Sequence, residues 1–231
     1  MSATFDQARQ EFAATGYAVL RQAGDSVDDL MRLVNAVSTP RGGTFWPEIQ
    51  MVHFEPGMAV GESVANSERR LLPHSDGSFE PSPPDMLFLQ YVEPDLPGFG
   101  ESRVVRAGDL ATHLPRSTVE VLRRPEFHFV RCDDGRTALG RGPVLGIGDA
   151  PTIRFRHDEK YRIRADTAEG AAAVEELSDL VRQPSVQRPV ALGRGDILWL
   201  DNRRNLHGRT ALSGQATRTL RTAWGDERPL A

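Results

Sequence analysis

The feature that most constrains this chain is its punctuation. From about residue 50 onward, short strand-like runs are separated by glycine and proline clusters, without a regular alternation of strand and helix. Tyr17 to Leu20, Gln50 to Phe54, Met86 to Tyr91, Phe127 to Arg131, Thr152 to Arg156, Gln187 to Leu192, Ile197 to Leu200 and Thr219 to Trp224 all have the length and side-chain content of strands. Pro81-Ser82-Pro83-Pro84 and Pro97-Gly98-Phe99-Gly100 break the chain between them. A doubly wound parallel sheet needs a crossover of about a dozen residues or more after each strand, and the chain lacks that rhythm. The expected class is mainly β with flanking helices, a sandwich or a barrel.

Three helices are expected. Phe5, Ala8 and Phe12 follow the 3.6-residue period, with Ser2 or Thr4 as cap and Gly16 as stop. A second helix follows Ser26 and carries Val27, Leu30, Met31, Val34 and Val37 on one face; Pro40-Arg41-Gly42-Gly43 ends it. The third opens at Asp166-Thr167-Ala168-Glu169, a capping-box-like start, and runs to about Arg182 before Pro184.

With 231 residues, a single core buries roughly 70% of the unfolded surface and needs no staple. No repeat or linker interrupts the chain, so residues 1–231 are expected to form one domain. Cys132 is the only cysteine, which excludes a disulfide framework and a cysteine-based zinc or iron–sulfur site; it reads as a small packed side chain. A net charge of −4 gives no general attraction to nucleic acid or to an anionic membrane. No apolar run approaches the roughly 20 residues of a membrane span, and the N-terminus lacks the basic and apolar regions of a signal peptide, so a soluble cytoplasmic protein is expected. Lys160 is the only lysine among 28 basic residues, a bias attributed to GC-rich codon usage.

Taken singly, each of the six histidines reads as a hydrogen-bonded structural residue. Leu72-Pro73-His74-Ser75-Asp76-Gly77 is different. In an extended chain alternate side chains share a face, so His74 and Asp76 offer an imidazole nitrogen and a carboxylate oxygen side by side. A third donor is suggested by His207, in a polar stretch just beyond the apolar run Ile197 to Leu200. Two histidines and one carboxylate on one face of a metal leave three positions open, as suits iron(II) that must take a bidentate co-substrate and dioxygen. If that co-substrate is 2-oxoglutarate, its far carboxylate needs a cation. Arg218, 11 residues after His207 in a strand-like stretch, is the candidate, because a guanidinium binds a carboxylate with two parallel bonds.

Taken together, these segments resemble the taurine dioxygenase and clavaminate synthase type of iron(II)/2-oxoglutarate oxygenase. The likeness runs from about Gly16 to Trp224 and is strongest in His74-Ser75-Asp76-Gly77-Ser78-Phe79 and in Asp201-Asn202-Arg203-Arg204-Asn205-Leu206-His207-Gly208-Arg209-Thr210. It implies a double-stranded β-helix (a jelly roll of two antiparallel sheets), iron(II), 2-oxoglutarate and O2 as the reacting set, and His74, Asp76 and His207 as metal ligands. It also implies a hydroxyl beside the far carboxylate, for which Ser102 is the match, in Gly98-Phe99-Gly100-Glu101-Ser102 where the family more often has a Gly-Gly-Asp/Glu-Thr-like string. Taurine-type members carry a further arginine where this chain has Thr222, and Arg221 has the wrong parity to replace it, which argues against a sulfonate substrate. Asp76 argues against halogenation, whose catalysts replace this carboxylate with a small residue.

Other assignments are weaker. Gly77 to Pro84 is a candidate lid, Arg154 and Arg156 share a face and are candidates for a substrate carboxylate, and Trp199 and Trp224 read as core. The expected activity is oxidation, foremost hydroxylation, of a small molecule such as an amino acid or derivative, with release of succinate and CO2. The competing readings are a zinc hydrolase on the same ligands, which leaves Arg218 without a purpose, and a non-catalytic jelly-roll protein that binds a small acid. Substrate identity and oligomeric state are not encoded in any motif.

Overall fold

The computed structural model describes residues 3–43, 47–55, 64–132, 140–146, 148, 150–214 and 218–228. In chain order its elements are α1 (Ala3–Thr15), β1 (Tyr17–Leu20), α2 (Val27–Val37), β2 (Thr39–Arg41), β3 (Ile49–His53), β4 (Leu71–His74), β5 (Met86–Glu93), β6 (Ser102–Arg106), α3 (Ala107–His113), α4 (Arg116–Leu122) and β7 (Phe127–Arg131). There follow β8 (Gly140–Gly142), β9 (Tyr161–Ala165), α5 (Ala168–Arg182), β10 (Arg188–Val190), β11 (Ile197–Asp201), β12 (Asn205–Arg209) and β13 (Thr219–Asp226).

Two antiparallel sheets face each other. One runs β1-β11-β5-β13-β2, with β3 also on β13, and the other runs β10-β6-β12-β4. Leu87, Leu89, Leu198, Leu200 and Leu220 from the first sheet meet Val104 and Val190 from the second in a shared apolar layer. This is the expected jelly roll, and its long central strands are apolar on both faces because helices cover the outer one. On that outer face Leu30, Leu33 and Val34 of α2 pack against Met86, Phe88, Ile197 and Trp199, and Phe12 of α1 stacks on Trp199 with ring centroids 3.8 Å apart. A third small sheet, β8-β7-β9, joins α3, α4 and α5 in a second core around Phe127, Phe129, Leu122 and Leu177.

The helix ends follow local chemistry. Ser26 and Asp29 form a reciprocal capping box on α2, and the Thr167 hydroxyl accepts from the Gly170 amide at the start of α5. Gly16 ends α1 at φ +82°, a region an L side chain rarely adopts. Of the two caps expected for α1, Ser2 lies outside the described residues, and Thr4 falls inside the helix.

Several expectations need correction. Pro40 and Arg41 do not simply stop α2: they form β2, an edge strand on β13, where a missing proline N–H costs nothing. Thr152 to Arg156 is not a strand. Only Ile153 bridges, to Leu145, because the backbone bonds of this extended segment are divided among Arg203, Val144 and Ser75. The polar stretch just beyond Ile197 to Leu200 that carries His207 is itself a strand, β12. Cys132 is exposed, not packed. Gly77 to Pro84 is a tight turn with Ser78, Phe79 and Glu80 buried.

Candidate active site

The geometry of the site is set by strand register. β12 lies between β6 and β4, and His207 pairs directly with His74 across the ladder. Directly opposed residues carry their side chains on the same face, so the two imidazole rings stand 4.4 Å apart, centroid to centroid. The chain leaves β4 after His74 and turns, and that turn returns the Asp76 carboxylate to the rings. Asp76 Oδ1 lies 3.3 Å from His74 Nε2 and 3.7 Å from His207 Nε2. One ligand atom from each of the three residues falls within 4.8 Å of the others.

The surroundings orient these atoms. His74 Nδ1 lies 2.8 Å from the Leu72 carbonyl, which takes its N–H and leaves the Nε2 lone pair facing Asp76. Trp224 Nε1 donates to Asp76 Oδ2 at 2.9 Å, leaving Oδ1 for the centre of the cluster. Burial, with the His74 charge second, pushes the His207 imidazole down to about 3, so it is a neutral base. Burial alone would raise the Asp76 carboxyl, but the two histidines and the Trp224 bond outweigh it and hold the group well below the usual range. Neutral imidazole and ionised carboxylate lone pairs thus converge on one point. That arrangement is repulsive unless a cation lies between them, and an N2O donor set on one face suits iron(II).

Two residues that sequence reasoning missed complete this corner. Asn202 accepts from the Asp76 amide at 2.9 Å and donates to the Asp76 carbonyl at 3.0 Å and the Pro84 carbonyl at 2.9 Å. Its side-chain amide stands in for a strand that is not there. Trp224 was read as core; its ring is buried, but its N–H is part of the site. No sequence spacing announces either role, although both lie within segments that carried the family resemblance.

A cavity of about 270 Å³ extends from this cluster between the sheets, past Ser102, Leu220 and Thr222 to Arg209 and Arg218. Arg218 is buried, and its Nη2 donates to the Tyr91 hydroxyl at 3.1 Å. Its Nε is buried without a partner, and no carboxylate pairs with it among the described residues. The Tyr91 hydroxyl is 2.5 Å from Ser102 Oγ. A buried cation beside two hydroxyls, with no carboxylate paired to it among the described residues, has the chemistry to hold an anionic group. Arg218 and Ser102 thus come together as expected. Tyr91 was missed, though a tyrosine in the middle of an apolar strand is itself a sign that its hydroxyl has a buried partner.

Arg209, also missed, is a different kind of buried cation. Its guanidinium donates to five carbonyls, of Val64, Ala65, Ser67, Arg69 and Thr210, at 2.6–3.1 Å. Burial, with the charge of Arg218 second, pushes it down to about 9. It is spent on holding residues 64–69 over the end of the cavity.

The two arginines expected to act alike do not. Arg154 turns from the cavity, stacks over Phe129 at 4.0 Å and donates to the Ser78 and Glu80 carbonyls, whereas Arg156 lines it. Arg221 faces outward to the Asp25 carbonyl and the Gln90 side chain, as its parity requires.

A model of the taurine catabolism dioxygenase TauD, TfdA family matches residues 1–224. The chain belongs to that family. As a TauD/TfdA-type protein it is an iron(II)- and 2-oxoglutarate-dependent dioxygenase, and the zinc-hydrolase and non-catalytic readings find no support. No curated protein sequence matches it significantly. Among solved structures it is similar to an asparagine oxygenase, at 21% identity and a TM-score of 0.78 over 96% of this chain and 76% of the other. The non-heme iron oxygenase OrfP, in complex with Fe and alpha-ketoglutaric acid, aligns at 20% identity and a TM-score of 0.72 over 97% of this chain and 78% of the other. At these identities the likeness is one of fold, the TauD-like double-stranded β-helix. Among the described residues no helix is long and apolar enough to cross a membrane.

Proposed function

We propose that residues 1–231 act as one catalytic unit in which His74, Asp76 and His207 bind iron(II), Arg218 with Ser102 and Tyr91 binds the far carboxylate of 2-oxoglutarate, and the reaction hydroxylates an amino acid or a close derivative. The observation that carries this is the continuous cavity joining a two-histidine, one-carboxylate cluster to a buried arginine that has no anion of its own. The amino-acid class is supported by fold neighbours described as an asparagine oxygenase complexed with 3-hydroxyasparagine and succinate, and as OrfP complexed with 3-hydroxyarginine and succinate.

In this reading the protein does four things. His74 and His207 present their ring nitrogens on one sheet face, held there by ladder pairing. Asp76 is kept ionised by the two histidines and Trp224, and the Trp224 bond to Oδ2 leaves Oδ1 pointing at the cluster. Arg218 fixes the co-substrate's length along the cavity by gripping its far end. Leu89, Leu220 and Val52 line the walls and exclude water between the two ends. Iron bound there, with 2-oxoglutarate and dioxygen, supplies an oxidative decarboxylation to succinate and CO2 coupled to oxidation of a substrate C–H bond. With Thr222 as the uncharged inward residue of β13, no second cation stands beside Arg218 on that strand, which speaks against a taurine-like sulfonate.

Anaerobic titration of iron(II)-loaded protein with 2-oxoglutarate tests the assignment through the weak visible charge-transfer band of the chelate. The band is expected in wild type and lost in His207→Ala and Asp76→Ala. A folded, iron-loaded wild type that shows no band refutes it.

A further inference from the structure

The cavity is lined by four basic side chains, Arg156, Lys160, Arg209 and Arg218. Arg218 belongs to the far end, and Arg209 has both terminal nitrogens engaged by carbonyl oxygens, with only its Nε unpartnered. The inward residues of β13, Leu220, Thr222 and Trp224, carry no charge. Lys160 lines the cavity but has an interaction of its own. Arg156 is the cavity cation whose two terminal nitrogens both lack a partner among the described residues.

Its position is built. Phe155, just before it, is clipped to Ser75, the residue between His74 and Asp76. Ser75 N donates to the Phe155 carbonyl at 2.8 Å, and Phe155 N donates to Ser75 Oγ at 2.9 Å. Arg156 is therefore tied by backbone to the segment that carries His74 and Asp76. Its guanidinium lies over the Tyr161 ring at 3.8 Å. Nε donates to Asp158 Oδ2 at 3.1 Å, with both side chains more than four-fifths buried. Asp158 is itself held, because its other oxygen accepts the Lys160 and Tyr161 amides. The plane and direction of the guanidinium are thus set by groups that engage one nitrogen only. Neither terminal nitrogen has a partner among the described residues. A pre-oriented fork with free ends is suited to a carboxylate, which it binds through two parallel bonds with little loss of side-chain freedom.

We propose that Arg156 is the specificity-determining residue that grips a carboxylate of the substrate, with Asp158 and Tyr161 as the groups that orient it. The substrate is then a small organic acid held by its anionic end beside the metal cluster, which places the neighbouring carbons toward the His74–Asp76–His207 face. This deepens the oxygenase reading and rests on it.

The test uses calorimetric titration of anaerobic protein loaded with iron(II) and 2-oxoglutarate. Each L-amino acid is titrated both as the free acid and as its α-carboxamide, and the aspartate/asparagine and glutamate/glutamine pairs report a side-chain carboxylate. In wild type at least one acid is expected to bind about tenfold or more tightly than its amide, the worth of a charge-assisted bond. That preference is expected to vanish in Arg156→Gln and to weaken in Asp158→Asn, where the charge remains but its orientation is lost. 2-Oxoglutarate binding, measured on the same samples, should be the same in all three proteins, and this also reports that the variants fold. No preference for any acid in wild type, or a preference that survives in Arg156→Gln, overturns the anchor. Failure of wild type to bind 2-oxoglutarate overturns the oxygenase reading instead.

Discussion

Gly208→Ala is a small change that should act at a distance on the metal cluster. A methyl group built at Gly208 meets the Leu71 carbonyl oxygen at 2.6 Å, Pro73 N at 2.9 Å and the Leu72 carbonyl carbon at 3.1 Å, all of them backbone atoms of β4. None is the end of a side chain that could swing aside. Carbon–oxygen contacts settle near about 3.3 Å, so β4 and β12 must part by roughly 0.7 Å. These two strands hold His74 and His207 as a directly opposed pair, with Gly208 next to His207. Metal sites tolerate ligand displacements of about 0.2 Å, so the separation is several times what the cluster can absorb. The overpacking should cost about 1–3 kcal/mol of stability, little enough for the protein to fold, while iron affinity falls about tenfold or more. Gly193→Ala is the control, because its methyl meets only Asp196 Oδ2 at 3.9 Å. Iron(II) affinity is read by competition with a chelator and stability by urea unfolding. A Gly208→Ala protein with wild-type iron affinity and turnover would refute the claim that the ladder contact sets the ligand geometry.

Three further outcomes are expected. Trp224→Phe frees Asp76 Oδ2 and should weaken iron binding about tenfold while the circular dichroism spectrum is retained; unchanged affinity would mean that the Trp224–Asp76 bond is incidental. Arg218→Leu should weaken 2-oxoglutarate binding about a hundredfold and leave iron binding intact, since it removes one partner of a buried charge pair; an unaltered dissociation constant rules out its assigned role. For the metal-free protein, His207 lies at about 3 when folded against 6.5 as its ordinary value. The unfolded chain therefore binds this proton first, so its contribution to stability is full above pH 6.5 and is lost as pH falls from there toward 3. Urea midpoints measured across that window should fall with pH, and less steeply in His207→Asn; a flat profile in wild type contradicts the buried neutral imidazole.

Much of this protein was legible in one dimension where the physics is local. The turns are signalled by glycine and proline, the caps of α2 and α5 by Ser26 and Thr167, and α2 by an apolar face repeating at helical period, since each depends on residues a few positions apart. His74 and Asp76 were legible for the same reason, being two positions apart in one segment; His207 and Arg218 were suggested by a polar stretch beyond an apolar run and by a strand-like arginine 11 residues on, and Ser102 was reached only through the family resemblance. What the sequence could not carry is register. β12 reads only as a polar stretch because Asn205, Gly208 and Arg209 are poor strand formers alone, and it is a strand because β4 and β6 flank it on both sides. That pairing puts His207 opposite His74, while packing of the facing sheet brings Trp224 to Asp76 and side-chain contacts separate Arg154 from Arg156 although they have the same parity. Each of these depends on contacts between residues far apart in sequence, where pairing and burial outweigh local preference.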